Sequence, residues 1–228
     1  MGATSHPIEW LARLKGRWVS ARQQHWIRTL RNRGMHIGRD VTFPKDLFVD
    51  EEFCALMSIG DGTAFGPECM LLAHDAGPGA QLGATRIGRV IVKSSCHIGA
   101  RTIILPNVEI GPRTVVAANS VVSRSLPADT VCTGRPARPF CTLAQYLETH
   151  RERIEAAATF EYSAYAIQFL TSERQAALVS AALAGDVYIV GGRSAELRRV
   201  GGSERTPLET YVPPPPSPVR SRRAHRTC

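Results

Sequence analysis

Every sixth residue from Val92 to Val122 is aliphatic and β-branched: Val92, Ile98, Ile104, Ile110, Val116 and Val122. Four places after each stand Cys96, Thr102, Val108, Thr114, Ser120 and Leu126, most of them small. Gly99 and Gly111 directly follow two of the aliphatic positions. The phase also holds upstream at Ile59, Phe65 and Leu71, where Gly60 and Gly66 follow and Thr63 and Cys69 stand four places on. A looser run begins at Ile37 and Gly38 and continues through Phe43 and Val49. Neither a helix nor a hairpin sheet repeats every six residues. A six-residue step suits a short flat strand and a corner, with one aliphatic side chain pointing inward and a small one in the crowded turn. Three such steps close a triangular coil, and stacked coils bury a column of aliphatics that a single coil could not. β-Branched side chains suit the flat strands. The pattern predicts a mainly β protein whose central domain, residues 37–140, is a parallel β-helix of hexapeptide repeats.

The flanks read differently. Residues 1–36 form a basic segment of helical periodicity, with Ile8, Leu11, Leu14 and Trp18 near one face and Trp26, Ile27 and Leu30 further on. Two roles fit it: covering the open end of the β-helix, where a coil edge is otherwise unpaired, or resting on an anionic membrane as a peripheral contact. Covering the end is favoured. Residues 141–190 read as a helical appendage, with a helix from Thr142 as N-cap to His150 and another over Ser172–Leu183 that stops at Gly185. A short strand follows at Val187–Val190. Residues 191–228 are rich in glycine, arginine and proline, including Pro213–Pro216, and read as a disordered basic tail.

Composition narrows the classes. A hydrophobic share of 43% over 228 residues is ordinary for a globular protein. No apolar run approaches the roughly twenty residues needed to span a bilayer. Arg13, Lys15 and Arg17 interrupt the apolar positions near the start, so no secretory signal is read and a cytoplasmic location is expected. The six cysteines show neither a C-x-x-C pair nor zinc spacing, and read as small buried hydrophobes in a reducing compartment. The net charge of +8 suggests nucleic acid, but Val41 to Phe140 holds nine basic and nine acidic residues. The excess lies at the two ends without a nucleic-acid-binding motif, so no nucleic-acid partner is expected.

The stretch Ile98-Gly99-Ala100, Ile103-Ile104-Leu105-Pro106, Val108, Ile110-Gly111, Val115-Val116 and Val121-Val122-Ser123-Arg124 resembles the hexapeptide-repeat acyltransferases. Leu126-Pro127 followed by Gly134-Arg135-Pro136-Ala137-Arg138 is similar to that family's closing segment. The resemblance covers about Ile37 to Phe140, under half of the chain. It implies a left-handed winding of the β-helix, acetyl-CoA or another acyl-CoA as co-substrate, no metal, and a homotrimer with active sites between subunits. Helical appendages like the one after residue 141 follow the β-helix in some capsule-type acyltransferases.

The repeat is interrupted once in its strong part. From Leu71 to Val92 the step is 21 residues, three more than a whole coil of eighteen, and the intervening stretch His74-Asp75-Ala76 to Leu82-Gly83 is rich in glycine. Loops that interrupt a rigid scaffold tend to carry function. Leu71, Leu72, His74, Asp75, Ala76, Leu82, Gly83, Thr85, Ile87 and Gly88 match a form recurrent in the sugar O-acetyltransferase branch, where the histidine is the general base. The resemblance therefore implies His74 as catalytic base; the plainer reading is a solvated loop histidine. An imidazole can remove a hydroxyl proton as the oxygen attacks a thioester and return it to the sulfur. The function this implies is transfer of an acetyl or other short acyl group from coenzyme A to a hydroxyl of a sugar or glycan precursor. The rivals are N-acetylation of an amino sugar and a catalytically silent β-helix scaffold.

Other residues follow by position. The resemblance places coenzyme A against Ala100, Ala118, Ser123, Arg124 and Arg138, with Arg124 where relatives usually carry lysine and with simple solvation as the plainer reading of both arginines. Asp50 is the residue chosen for acceptor binding, a solvated turn being the alternative. Asp75 either orients His74 or solvates the loop, the second favoured. His97 reads as a surface residue of the coil, since no third histidine stands near for zinc. Lys93 stands where the family prefers glycine and suggests a distorted corner.

Overall fold

The computed structural model describes residues 22–165 and 170–191, so residues 1–21 with the expected face of Ile8, Leu11, Leu14 and Trp18, residues 166–169, and residues 192–228, most of the expected tail, lie outside the described residues. The chain divides into two compact units, one ending at Ala144 and one beginning at Gln145.

In the first unit the chain runs around three faces in turn. The first coil holds β1 (His36–Ile37), a bridge at Thr42 and β2 (Phe48–Val49). The second holds β3 (Met57–Ile59), β4 (Ala64–Phe65) and β5 (Met70–Leu71). An antiparallel pair, β6 (His74–Asp75) with β7 (Arg86–Ile87), then leaves the column. The third coil holds β8 (Val90–Val92), β9 (His97–Ile98) and β10 (Ile103–Ile104), and the fourth β11 (Val108–Ile110), β12 (Val115–Val116) and β13 (Val121–Val122). β14 (Thr130–Gly134) starts a fifth, and β15 (Ala137–Thr142) turns back antiparallel along it. Strands stack into parallel sheets in the orders β1-β3-β8-β11, β2-β5-β10-β13 and β4-β9-β12-β14, with β15 at the end of the third. This is the left-handed parallel β-helix that the repeat and the resemblance implied.

The six aliphatics from Val92 to Val122 line the interior, each at most 1% exposed. The small echo positions are buried too, and their hydroxyls are satisfied locally. Thr102 Oγ1 donates to the Gly99 carbonyl at 2.7 Å, Thr114 Oγ1 to that of Pro127 at 2.6 Å, and Ser120 Oγ to that of Ala117 at 2.7 Å. A buried hydroxyl without such an acceptor would be costly. The glycine after the aliphatic has a steric cause: a Cβ at Gly99 would stand 2.4 Å from the amide nitrogen of Ala118 in the next coil. Lys93 sits at the equivalent position without distorting its corner, its N–H donating to the Ile110 carbonyl at 2.9 Å as the regular ladder requires and its ammonium 3.4 Å from Glu109. Ser95, Arg101, Asn107, Arg113 and Asn119, also six apart, all have φ between 55° and 65°. Each corner thus asks a non-glycine residue into the left-handed region at a cost of about 1–2 kcal/mol.

Helix α1 (residues 22–32) covers the open end of the first coil. Leu30 is fully buried, Trp26 and Ile27 pack on the core, and Gln23 donates from its amide to the Phe43 carbonyl. In the second unit, α3 (Leu143–Ala156), whose first two residues close the first unit, runs past the expected end at His150. It leads into β16 (Ala158–Glu161), a strand the periodicity did not reveal, and α4 (Tyr162–Tyr165). β16 pairs in parallel with β17 (Val187–Val190). Between them α5 (Ser172–Ala184) is capped by the Thr171 side chain, which accepts from the Arg174 N–H at 3.3 Å, and ends at Gly185.

Cys54, Cys69, Cys96 and Cys132 are reduced and at most 2% exposed. Burial pushes all four thiols up, Cys132 from 9.0 to about 11. A raised folded value means that stability is fully present below the unfolded thiol's range and is lost as pH climbs through the folded one. The urea midpoint is therefore expected to hold to about pH 9 and to fall between about 9 and 11. Maleimide at pH 8 should spare these four thiols in the folded protein and label them in urea, which mass spectrometry reads directly.

Candidate active site

The coils advance by 18 residues between the third and fourth and by 16 into the fifth, where Val116 pairs with Cys132, and insertions lengthen the step at two places. Val92 pairs with Ile110 and Ile98 with Val116, 18 positions apart, whereas Ile37 pairs with Ile59 at 22 and Ile59 with Val92 at 33. The break after Leu71 therefore holds no additional coil, contrary to a count that sets it against a full turn. Leu71 closes the second coil and Val92 belongs to the strand that opens the third, so the chain between them is a single excursion. The smaller break lies after Val49, where the 3-10 helix Glu51–Leu56 is inserted. Val49 and Leu71 are register partners on adjacent coils. Both insertions thus leave the column at the same corner, one above the other.

That coincidence brings Asp50 and His74 together. Asp50 stands directly after Val49 and its N–H donates to the Leu71 carbonyl at 3.0 Å. Its carboxylate, 5% exposed, accepts at Oδ2 from the N–H groups of Ala73 at 3.2 Å and His74 at 3.1 Å, and contacts His74 Nδ1. An oxygen that already accepts two backbone donors takes a third from the ring, so Nδ1 carries the proton and Nε2 presents its lone pair. The His74 side chain is 37% exposed, open enough for Nε2 to meet a substrate. Phe53, from the 3-10 insertion, lies against the imidazole with ring centroids 5.2 Å apart and planes at 49°. Asp75 points elsewhere: it is exposed, and its Oδ1 accepts from the Gly77 N–H at 2.9 Å in a local turn.

The return of the excursion is fastened to the column. Gly88 N–H donates to the Ala73 carbonyl at 2.9 Å, and Arg86 Nη2 donates to the Pro106 carbonyl at 2.8 Å on the third coil. The tip, with the short helix α2 (Gly79–Leu82), leaves Leu82 76% exposed. A cleft of about 750 Å³ borders Asp50 and is lined also by Arg22, Trp26, Lys45 and Phe48.

The residues expected at coenzyme A fall into three places. Ala100 and Ala118 stack on successive coils at the corner following β9 and β12, where Asn119 N–H donates to the Ala100 carbonyl at 2.7 Å. Ser123 and Arg124 are exposed at the corner after β13, the same edge as the His74 excursion but two coils on, about 10 Å at the usual strand spacing. Arg138 is exposed on β15, its Nη1 donating to the Ala137 carbonyl at 3.1 Å. His97 is exposed on the outer face of β9. Among the described residues no group of three or more His, Cys, Asp or Glu could hold a metal ion, and no helix is long and apolar enough to cross a membrane.

Sequence reasoning chose Asp50 for the acceptor and did not connect it with His74, and it passed over Phe53 altogether. One signal was available: the step from Val49 to Ile59 exceeds six, which marks a second insertion one coil away from the first.

A model of the family described as "Bacterial transferase hexapeptide (six repeats)" matches residues 89–124, most of the third and fourth coils. The Bacillus subtilis (strain 168) protein named "Putative acetyltransferase YvoF" is 32% identical over 121 residues, spanning 53% of this chain and 68% of that protein. Among solved structures, the chain is similar to a hexapeptide-repeat-containing acetyltransferase, VCA0836, from Vibrio cholerae O1 biovar eltor, complexed with acetyl coenzyme A. Identity is 24%, coverage 63% of this chain and 92% of that one, and the TM-score 0.43. A maltose O-acetyltransferase from Clostridium difficile 630 shows 21% identity over 50% of this chain and 72% of its own, with a TM-score of 0.43.

Proposed function

The chain belongs to the hexapeptide-repeat family of bacterial transferases, and from that premise we propose that it moves an acetyl group from acetyl-CoA to a hydroxyl of a sugar or glycan precursor, with His74 as general base. The observation that carries this reading is the Asp50–His74 pair at the break in the β-helix. Asp50 keeps the proton on Nδ1, so Nε2 accepts the hydroxyl proton as the acceptor oxygen attacks the thioester carbon, and returns it to the departing sulfur. One C–O bond forms, one C–S bond breaks, and the products are the acetyl ester and free coenzyme A.

Ala100 and Ala118 offer a ledge of small side chains for the pantetheine arm. Ser123, Arg124 and Arg138 supply a hydroxyl and two cations for phosphates. Phe48, Met70, Ile103 and Val121 face outward on the sheet of β2, β5, β10 and β13, in antiphase to the buried Val49, Leu71, Ile104 and Val122, and this apolar strip supports a homotrimer.

Coenzyme A release from acetyl-CoA, followed against a panel of sugars, glycans and amino sugars, tests the proposal. Hydroxyl-dependent release with mass gain on the sugar is expected. Transfer confined to amino sugars would move the reading to N-acetylation, and failure to bind coenzyme A in calorimetry would leave only a scaffold.

A further inference from the structure

The 3-10 segment Glu51–Leu56 lies between helix α1 and the imidazole of His74. On the helix side, the Glu51 carboxylate accepts from Trp26 Nε1 at 2.8 Å through Oε1 and from Arg33 Nη1 at 2.9 Å through Oε2. Trp26 is itself seated edge-on against Phe43 with ring centroids 6.0 Å apart, and Phe43 lies 5.6 Å from Phe65 in the second coil. Cys54, 1% exposed, fastens the underside of the segment to the core. On the other side, Phe53 meets His74, and Asp50, immediately before the segment, holds its Nδ1.

The backbone shows where the segment bends to do this. Phe53 has φ −113° and ψ 20°, outside helical values, and the 3-10 turn breaks there. That sparsely populated region recurs at functional positions, where surrounding contacts over-determine the conformation. Here the over-determining contacts are the two bonds to Glu51 and the buried Cys54. An imidazole held at one nitrogen can still swing about that bond, and Nε2, at the far side of the ring, moves most. A side chain packed against the ring, as Phe53 is with its plane tilted by 49°, restricts that freedom.

We infer that Phe53 and Glu51 are positioning residues for His74, Phe53 as the wall against the imidazole and Glu51 as the brace that fixes the wall to helix α1. The inference rests on the proposed role of His74 as base. Helix α1 is thus more than a cover for the open coil: it sets the aim of Nε2 through one carboxylate.

The test combines turnover with nuclear magnetic resonance of the full chain carrying ¹⁵N-labelled histidine, the His74 signals being assigned with His74→Asn. In Phe53→Ala and Glu51→Gln, kcat is expected to fall about tenfold to a hundredfold with KM for both substrates within about twofold. In both variants the Nδ1–H resonance of His74 should broaden or shift as the ring gains motion. Phe53→Leu, which refills most of the wall, should restore turnover and resonance together. Wild-type kcat with an unmoved resonance in both variants would overturn the inference, as would a fall in kcat with the resonance unmoved. If the wild-type chain transfers no acyl group to any acceptor, the proposed function fails by itself, and the resonance in the two variants still decides whether Phe53 and Glu51 hold the ring.

Discussion

His74→Ala should lower kcat for acetyl transfer by about 10² to 10⁴, the range that a positioned general base contributes. Coenzyme A affinity should stay within about twofold, because the residues proposed for it are elsewhere on the column. Alanine also removes the partner of a carboxylate that is 5% exposed, so a stability effect could be mistaken for a chemical one. His74→Asn separates the two. Its side-chain amide offers Asp50 a donor close to the place of Nδ1 but has nothing at the place of Nε2. Both variants are expected to lose turnover, with asparagine keeping the wild-type urea midpoint and the oligomeric mass seen by light scattering. Undiminished turnover in the asparagine variant would remove the base from the mechanism.

Asp50→Asn should act on the same step from the other side of the ring. The carboxylate accepts three donors, two from backbone and one from the imidazole. An amide has one accepting oxygen and one donating nitrogen. All three donors meet one oxygen, Oδ2, so an amide oxygen kept at that place still accepts from the N–H groups of Ala73 and His74 and from Nδ1, and what is lost is the negative charge that favours the imidazolium formed as Nε2 takes the proton. Exchanging a charged for a neutral acceptor at this bond is worth about 1–2 kcal/mol, so a fall in kcat of about tenfold is expected. Asp50→Ala should in addition cost about 1–3 kcal/mol of stability, because Ala73 is fully buried and its N–H is left without an acceptor. A rise in acceptor KM with kcat preserved would instead restore Asp50 to the acceptor-binding role read from sequence.

The two residues of this pair were unequally legible. His74 stands in a local pattern, a histidine at the start of a glycine-rich break in a strict repeat, and one stretch of chain suffices to notice it. Asp50 stands 24 residues earlier in a run of three acids that looks like a solvated turn. Its significance depends on Val49 stacking on Leu71, which is a matter of register between coils. Phe53 was invisible for the same reason, compounded by a backbone kink that no propensity announces. The left-handed corners at Arg101 and Arg113 are similar, since arginine carries no signal for positive φ and only the closing of each coil demands it. β16 escaped because its partner β17 lies beyond a helix, and a lone four-residue strand has no period to read.

By itself, then, the amino-acid order determined the period of six, the aliphatic column, the glycines at the tight approaches and the place where the rhythm breaks. All of these are set by what one side chain must be for its own coil to close and stack, a requirement repeated often enough to rise above local variation. Only the tertiary structure decided that the two breaks share a corner, that Asp50 turns inward to hold His74, and that a segment braced by helix α1 backs the ring. Those are contacts between coils, made once each, and a contact made once leaves no periodic trace in the chain.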